Sequence, residues 1–278
     1  MKLIVDSGST KTTWCLMADG QMRDQLHTGG MNPFFQSEEE MARIVASEVV
    51  PFVGERSLES VYFYGAGCAF PEKNRLVERA IQSHLSVPVQ VESDLLGAAR
   101  SLCQQEEGIA CILGTGSNSC YYDGHEIRQH VSPLGFILGD EGSGAVLGKR
   151  LVSDCLKHQL PDDLCEKFMQ QYQLTPASIL DRVYKQPFPN RYLAQLSRFL
   201  AANLSESSVY QLVWNCFQDF FVRNVMQYPA YDHLPIHLTG SIAFYYQEVL
   251  RSVADTLQLK LGRIEQAPMP GLISFHAK

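Results

Sequence analysis

Blocks of apolar residues alternate with polar turns from the start of the chain. Leu3-Ile4-Val5 and Trp14-Cys15-Leu16-Met17 read as two short strands flanking the polar run Asp6-Ser7-Gly8-Ser9-Thr10-Lys11-Thr12-Thr13, and a reversal at Asp19-Gly20 leads into a third strand, Gln21 to His27. Ser37 then stands as N-cap of a helix over 38–50, with Met41, Ile44, Val45 and Val49 close to helical spacing. A buried strand at Val61-Tyr62-Phe63-Tyr64 ends in Gly65-Ala66-Gly67, a helix over 72–84 leads to a strand over 87–91, and a helix from Asp94 to Gln104 closes the unit. Gln105-Glu106-Glu107-Gly108 is a polar connector.

The order then restarts. Ile109 to Leu113 is a strand, Gly114-Thr115-Gly116-Ser117-Asn118 a turn, Ser119 to Tyr122 a strand, Asp123-Gly124 a turn and His125 to Val131 a strand. The repeat is weak in residue identity and strong in order, so the pattern predicts two similar domains that each open with a three-stranded meander. The remainder is mostly helical: 143–158, 162–172, 177–185, 191–202 and a long amphipathic stretch over 205–228 whose apolar positions fit a core face. A late strand, Ile236-His237-Leu238, runs through Thr239-Gly240-Ser241 into a helix over 243–257. A last strand near 263–265 and an apolar tail, Leu272 to Phe275, complete the chain. Boundaries follow: an N-terminal domain over 1–108, a C-terminal domain over 109–267, and a tail over 268–278 that can rejoin the first.

Length and composition narrow the functional classes. The chain has 278 residues, 45% hydrophobic and 19% charged, which is the balance of a globular protein of two domains. No apolar run approaches the length of a membrane span, and only three apolar residues follow Met1-Lys2 before Asp6, so neither a membrane anchor nor a signal peptide is expected and a cytoplasmic protein is. A net charge of −7 without a basic block argues against nucleic acid as partner, and leaves small nucleotides open. The eight cysteines are scattered without a CxxC pair and read as reduced packing residues. His233 and His237 flank Pro235, which spoils a helical zinc pair.

The first turn carries chemistry suited to a phosphate. Gly8 leaves the backbone uncrowded, Ser7, Ser9, Thr10, Thr12 and Thr13 offer hydroxyls, Lys11 a cation, and Asp6 a carboxylate for a hydrated magnesium ion. An ordinary polar hairpin loop fits the same residues. The topologically equivalent turn at Gly114–Asn118 strengthens the phosphate reading, because two such turns facing one another would grip a phosphate chain from both sides.

With these motifs in place the sequence resembles the actin, heat-shock chaperone and sugar kinase superfamily, and within it the N-acetylglucosamine kinase group, also described as the BadF/BadG/BcrA/BcrD-type ATPases. The resemblance covers nearly the whole chain. It rests on Asp6-Ser-Gly-Ser-Thr-Lys-Thr, on Gly114-Thr115-Gly116-Ser117-Asn118, on Leu138-Gly139-Asp140-Glu141-Gly142-Ser143-Gly144 and on Leu238-Thr239-Gly240-Ser241. It implies an α/β, duplicated ribonuclease-H-like fold with ATP and magnesium in an interdomain cleft and phosphorylation of an amino-sugar hydroxyl. Carried onto this chain, it gives the nucleotide Asp6, Gly8, Ser9, Thr10, Lys11, Thr12, Gly114, Thr115, Gly116, Gly240 and Ser241. It gives the metal Asp6 through water, and the sugar Asn32, Ser117, Asn118 and Asp140. Asp94 matches the catalytic base, which would take the proton of the attacking hydroxyl; an N-cap role in the following helix is its structural alternative. Asn32 before Pro33 also suits a turn, and Asp140-Glu141 also suits the acidic first turn of a helix.

Two departures from the pattern bear on the pocket for the N-acetyl group and on adenine packing, in that order. Leu134-Gly135-Phe136 stands where the eukaryotic sugar kinase carries a tryptophan nearby, and the C-terminal region lacks the glycine- and alanine-rich helix of longer relatives. Two other functions remain open at this point: an ATP-driven activator holding an iron–sulfur cluster through Cys68 and Cys120, and a non-catalytic nucleotide or sugar sensor. A homodimer is compatible with each.

Overall fold

A computed structural model describes residues 1–8, 10–229 and 231–277. Ser9, expected at the phosphate turn, lies outside the described residues. The chain divides into two compact units, one of Met1–Glu107, Tyr122–Ile127 and Ala267–Lys278, the other of Gly108–Tyr121 and Arg128–Gln266.

The first unit is built on a five-stranded sheet of order β3-β2-β1-β4-β5, with β1 Lys2–Ser7, β2 Lys11–Ala18, β3 Gln21–Gly29, β4 Ser60–Gly65 and β5 Val89–Ser93. The meander β1-β2-β3 is antiparallel, and β4 and β5 add in parallel beside β1. Alternation of side chains across the pleat sends Leu3, Val5, Trp14, Leu16, Val61 and Phe63 to one face, where the segment 38–53 and the helix Pro71–Gln82 cover them. Ile4, Cys15, Met17 and Tyr64 point to the other face and pack with Met269 and Leu272. The apolar tail is therefore a helix, Met269–His276, rather than a loose extension, because Met269, Leu272 and His276 fall on one helical face and are buried against the sheet. Ser37 forms the expected cap as a full capping box with Glu40.

The second unit repeats the strand order as β8-β7-β6-β9-β10, with β6 Gly108–Leu113, β7 Ser117–Tyr122, β8 Ile127–His130, β9 Ile236–Thr239 and β10 Leu261–Glu265. β6, β9 and β10 run parallel. The three residues joining β6 to β7 allow only an antiparallel pairing, since a parallel crossover needs a dozen or more. The helices Gly144–Leu156, Pro189–Ala202 and Ser207–Arg223 bury Leu147, Leu151, Phe199, Phe217 and Phe220 in one apolar core with Ile109, Cys111 and Leu113. The tip between β7 and β8 groups with the first unit, where the Tyr122 hydroxyl donates to the carbonyls of Gln104 and Gly124 at 3.2 and 2.9 Å. Helical periodicity overran twice: 205–228 is a helix followed by a 3₁₀ turn, Val225–Gln227, and 243–257 is two helices broken at Tyr246. No helix among the described residues is long and apolar enough to cross a membrane.

Candidate active site

Parallel strands gather their carboxyl ends at one edge of a sheet, and in the first unit that edge collects the chemistry. Ser7 at the end of β1 pairs with Gly65 at the end of β4, and Gly65 pairs with Ser93 at the end of β5. Asp6 and Asp94 are thereby brought to the same rim, the customary ligand position of an open α/β sheet.

Asp94 is the first residue of the helix Asp94–Cys103. The N-cap is Ser93, whose Oγ accepts the Leu96 N–H at 3.1 Å, so the alternative role for Asp94 is already filled by its neighbour. The Leu95 N–H donates to Asp94 Oδ1 at 2.9 Å, which fixes the carboxylate. Burial pushes this carboxyl up to about 6, against the pull of the backbone amides of Leu95 and Asp94 itself. Asp6 is pushed further, to about 7, first by burial and then by the Asp94 charge, with Lys11 opposing. The pair therefore titrates in two steps, and the second charge is costly unless a cation arrives.

The turn between β1 and β2 is closed by the Gly8 N–H donating to the Lys11 carbonyl at 2.9 Å. Gly8 has no left-handed φ, and a Cβ there would meet only that carbonyl, at an ordinary 3.7 Å. Thr10 and Lys11 are exposed at the tip. Ser7 and Thr12 are fully buried and share a hydrogen bond of 2.7 Å; Ser7 Oγ donates to the Met31 carbonyl, and the Met31 N–H donates to both hydroxyls. These two hydroxyls hold the strand pair against the loop that presents Asn32, a task different from the phosphate contact expected of Thr12. Asn32 is itself buried, its Oδ1 accepting the Phe34 N–H at 2.9 Å, which leaves the Nδ2 donors for a ligand.

In the second unit the turn Gly114–Gly116 is closed by the Gly114 N–H donating to the Gly116 carbonyl at 2.9 Å. The first amides of the helix Gly144–Leu156 donate back to it, Gly144 to the Gly114 carbonyl and Ala145 to the Thr115 carbonyl. Ser143 caps this helix, so Asp140 and Glu141 precede it and do not form an acidic first turn. Asp140 takes a left-handed φ of 55° and accepts the Ser117 N–H at 3.4 Å, and burial raises its carboxyl to about 6. Asn118 Oδ1 accepts the Ser119 N–H at 3.0 Å and meets His130 Nε2 at 2.8 Å. Ser117 is buried beside it, and Gly240, with φ 114°, turns β9 into the helix that begins at Ser241. The His130–Asn118 contact and the anchoring of Met31 by Ser7 and Thr12 were not visible in the sequence, since they join residues 12, 24 and 19 positions apart without a shared motif.

The cysteines offered to an iron–sulfur cluster are packed away. Cys68 lies in the core of the first unit with its thiol pushed up to about 12, and Cys120 is fully buried in the second, so neither presents a thiolate. Among the described residues no group of three or more His, Cys, Asp or Glu could hold a metal.

Two five-stranded sheets of the same strand order, each with a hairpin turn at its first strand pair, define the actin-like ATPase and sugar kinase fold. The chain is 52% identical to a Porphyromonas gingivalis protein provisionally named N-acetylglucosamine kinase, over 100% of this chain and 99% of that one, with a TM-score of 0.97. The chain belongs to the N-acetylglucosamine kinase family. It is also 28% identical over 162 residues to the N-acetylmuramic acid/N-acetylglucosamine kinase of Clostridium acetobutylicum; the match takes in 55% of this chain, and the chain spans about half the length of that curated relative, 52%. A further protein of that provisional name, from Chromobacterium violaceum, shares the fold at a TM-score of 0.69 with 17% identity, covering 99% of this chain and 98% of that one. No protein-family model matches the chain.

Proposed function

We propose that this chain is an ATP-dependent kinase that phosphorylates a hydroxyl of an amino sugar, N-acetylglucosamine or a close relative. The observation that carries the reading is the placement of Asp94: its N-cap duty is taken by Ser93, and its carboxyl, near 6, is ionised at neutral pH yet basic enough to accept a proton. Asp94 takes the proton of the attacking sugar hydroxyl as the new oxygen–phosphorus bond forms; the bond from the γ-phosphorus to the β-phosphate oxygen breaks, and ADP leaves with those electrons. Phosphoryl transfer asks little covalent chemistry of the protein, so positioning and charge supply most of the rate.

Asp6 suits a magnesium ion held chiefly by water and phosphate, without a cage of protein ligands among the described residues. One carboxylate, made reluctant to ionise by burial and by Asp94, gains from a cation bound through water, and magnesium keeps most of its waters. When bound, the ion would neutralise charge on the phosphates. The Thr10 hydroxyl and Lys11, beside the uncrowded Gly8, would contact the phosphates, and the turn Gly114-Thr115-Gly116 with Gly240 and Ser241 would contact the nucleotide. Asn32, Ser117, Asn118 and Asp140 would bind the sugar. A proposed division of the chain into domains over 1–108 with 268–278, and over 109–267, assigns one hairpin turn to each.

The test is a coupled assay of ATP consumption with N-acetylglucosamine, glucosamine and N-acetylmuramic acid under magnesium. Sugar-dependent ADP release with a sugar phosphate of matching yield supports the reading. Absence of turnover with every amino sugar sinks it.

A further inference from the structure

Beside Asn32 the first unit carries an aromatic shelf that the phosphoryl-transfer chemistry does not use. Phe34 and Phe70 are 52% and 58% exposed, and their rings meet edge to face with centroids 6.4 Å apart. Phe34 is joined to the Asn32 loop, donating its N–H to Asn32 Oδ1, and at Gly67, with φ 84°, a Cβ would sit 2.5 Å from Asn32 Oδ1 and 2.9 Å from Phe34 Cδ2; Phe70 reaches the loop through its ring contact with Phe34. The shelf and the Asn32 amide thus share one wall, after the end of β4.

Lys73 stands over this shelf. Its Nζ lies 5.0 Å from the Phe34 ring centroid and donates to the Pro33 carbonyl at 2.9 Å. No carboxylate pairs with it among the described residues. It also sits in the first turn of the helix Pro71–Gln82, where the helix dipole disfavours a cation. An ammonium held at the wrong end of a helix, with no acidic partner among the described residues and over the exposed Phe34 ring, is placed for an anion brought in on an apolar body.

We infer that Phe34, Phe70 and Lys73 form a specificity subsite for a carboxylate-bearing substituent of the amino sugar, the rings taking the apolar part of the substituent and Lys73 the carboxylate. The inference rests on the proposed sugar site at Asn32. Apolar walls with one convergent charge are the usual make-up of a small-molecule pocket, and the ion pair supplies discrimination against the neutral analogue.

The experiment compares N-acetylmuramic acid, which carries such a carboxylate, with neutral N-acetylglucosamine. Binding is read by calorimetry and turnover by ADP release, for the wild type and for Lys73→Met, Lys73→Arg and Phe70→Ala. Lys73→Met is expected to lower the ratio of kcat/KM, acidic sugar over neutral, at least tenfold, chiefly through KM, with Lys73→Arg restoring most of it and added salt weakening the wild-type preference. Phe70→Ala is expected to weaken acidic-sugar binding several-fold. Equal loss for both sugars with a lowered melting temperature would make Lys73 a structural staple and overturn the subsite, as would failure of the wild type to bind the acidic sugar. Binding of the acidic sugar that depends on Lys73, without turnover of any sugar, would uphold the subsite and refute the kinase reading instead.

Discussion

Asp94 and Asp6 show how one sheet edge can hold two carboxylates at cost to stability. Each binds its proton more tightly in the folded chain than in the unfolded one, so their contribution to stability is full below the unfolded value near 3.8 and is lost as pH rises through about 6 and about 7. Asp94→Asn is accordingly expected to lower turnover by about 10² to 10⁴ while nucleotide binding persists, as read by stopped assay and calorimetry. The same variant, and Asp6→Asn, should melt at a higher temperature than the wild type at pH 8, by roughly 1–2 kcal/mol of stability after allowance for solvent screening. The acid limb of kcat/KM should fall as pH drops through about 6, following protonation of the base; a limb unmoved between pH 5 and 8 would remove Asp94 from that role.

At the scale of elements, close packing of helices decides how firmly the second turn is held. The helix Gly144–Leu156, whose first amides grip that turn, crosses Pro189–Ala202 so tightly that a Cβ at Gly148 would overlap the Leu193 carbonyl. Backbone cannot swing aside as a side chain can. Gly148→Ala should therefore cost about 3 kcal/mol in denaturant unfolding, against a control, Gly29→Ala, that meets open space and should stay within about 0.5 kcal/mol of the wild type. Gly148 lies inside its helix and Gly29 ends β3, and nothing in the sequence marks one as crowded and the other as free. Their difference lies wholly in what another element brings near.

On the scale of the whole molecule, the tail ties the end of the chain to its beginning. His276 is buried, meets the Tyr64 hydroxyl through Nε2 at 2.8 Å, lies against the Tyr62 ring at 4.1 Å between centroids, and its carbonyl accepts from Lys2 Nζ. Burial, with the charges of Arg100 and Lys2, lowers its ring to about 4. The unfolded chain thus binds the proton between 6.5 and about 4 while the folded chain does not, so the stability that neutral His276 secures is present above 6.5 and is lost as pH falls toward 4. This trend opposes that of Asp6 and Asp94 in the overlapping window. His276→Gln should flatten the acid loss by about 2 kcal/mol relative to the wild type across pH 6.5 to 4 in chemical denaturation; parallel curves for the two proteins would exclude the linkage.

Legibility in the sequence followed the range of the interaction concerned. The repeated meander, both glycine-rich turns, the Ser37 N-cap and most helices could be read directly, because period-two and helical patterns and turn residues act over a few neighbours. The place of Asp94 after β5 was readable in the same way, whereas the fact that Ser93 and not Asp94 caps the helix depended on backbone angles at a single junction. What only the tertiary structure decided was long in range: the anchoring of Met31 by Ser7 and Thr12, the docking of the tail as a helix, and the shelf of Phe34, Phe70 and Lys73. Strand register and helix packing bring those residues together, and a linear pattern carries no record of which buried hydroxyl, ring or ammonium will face another once the chain has closed.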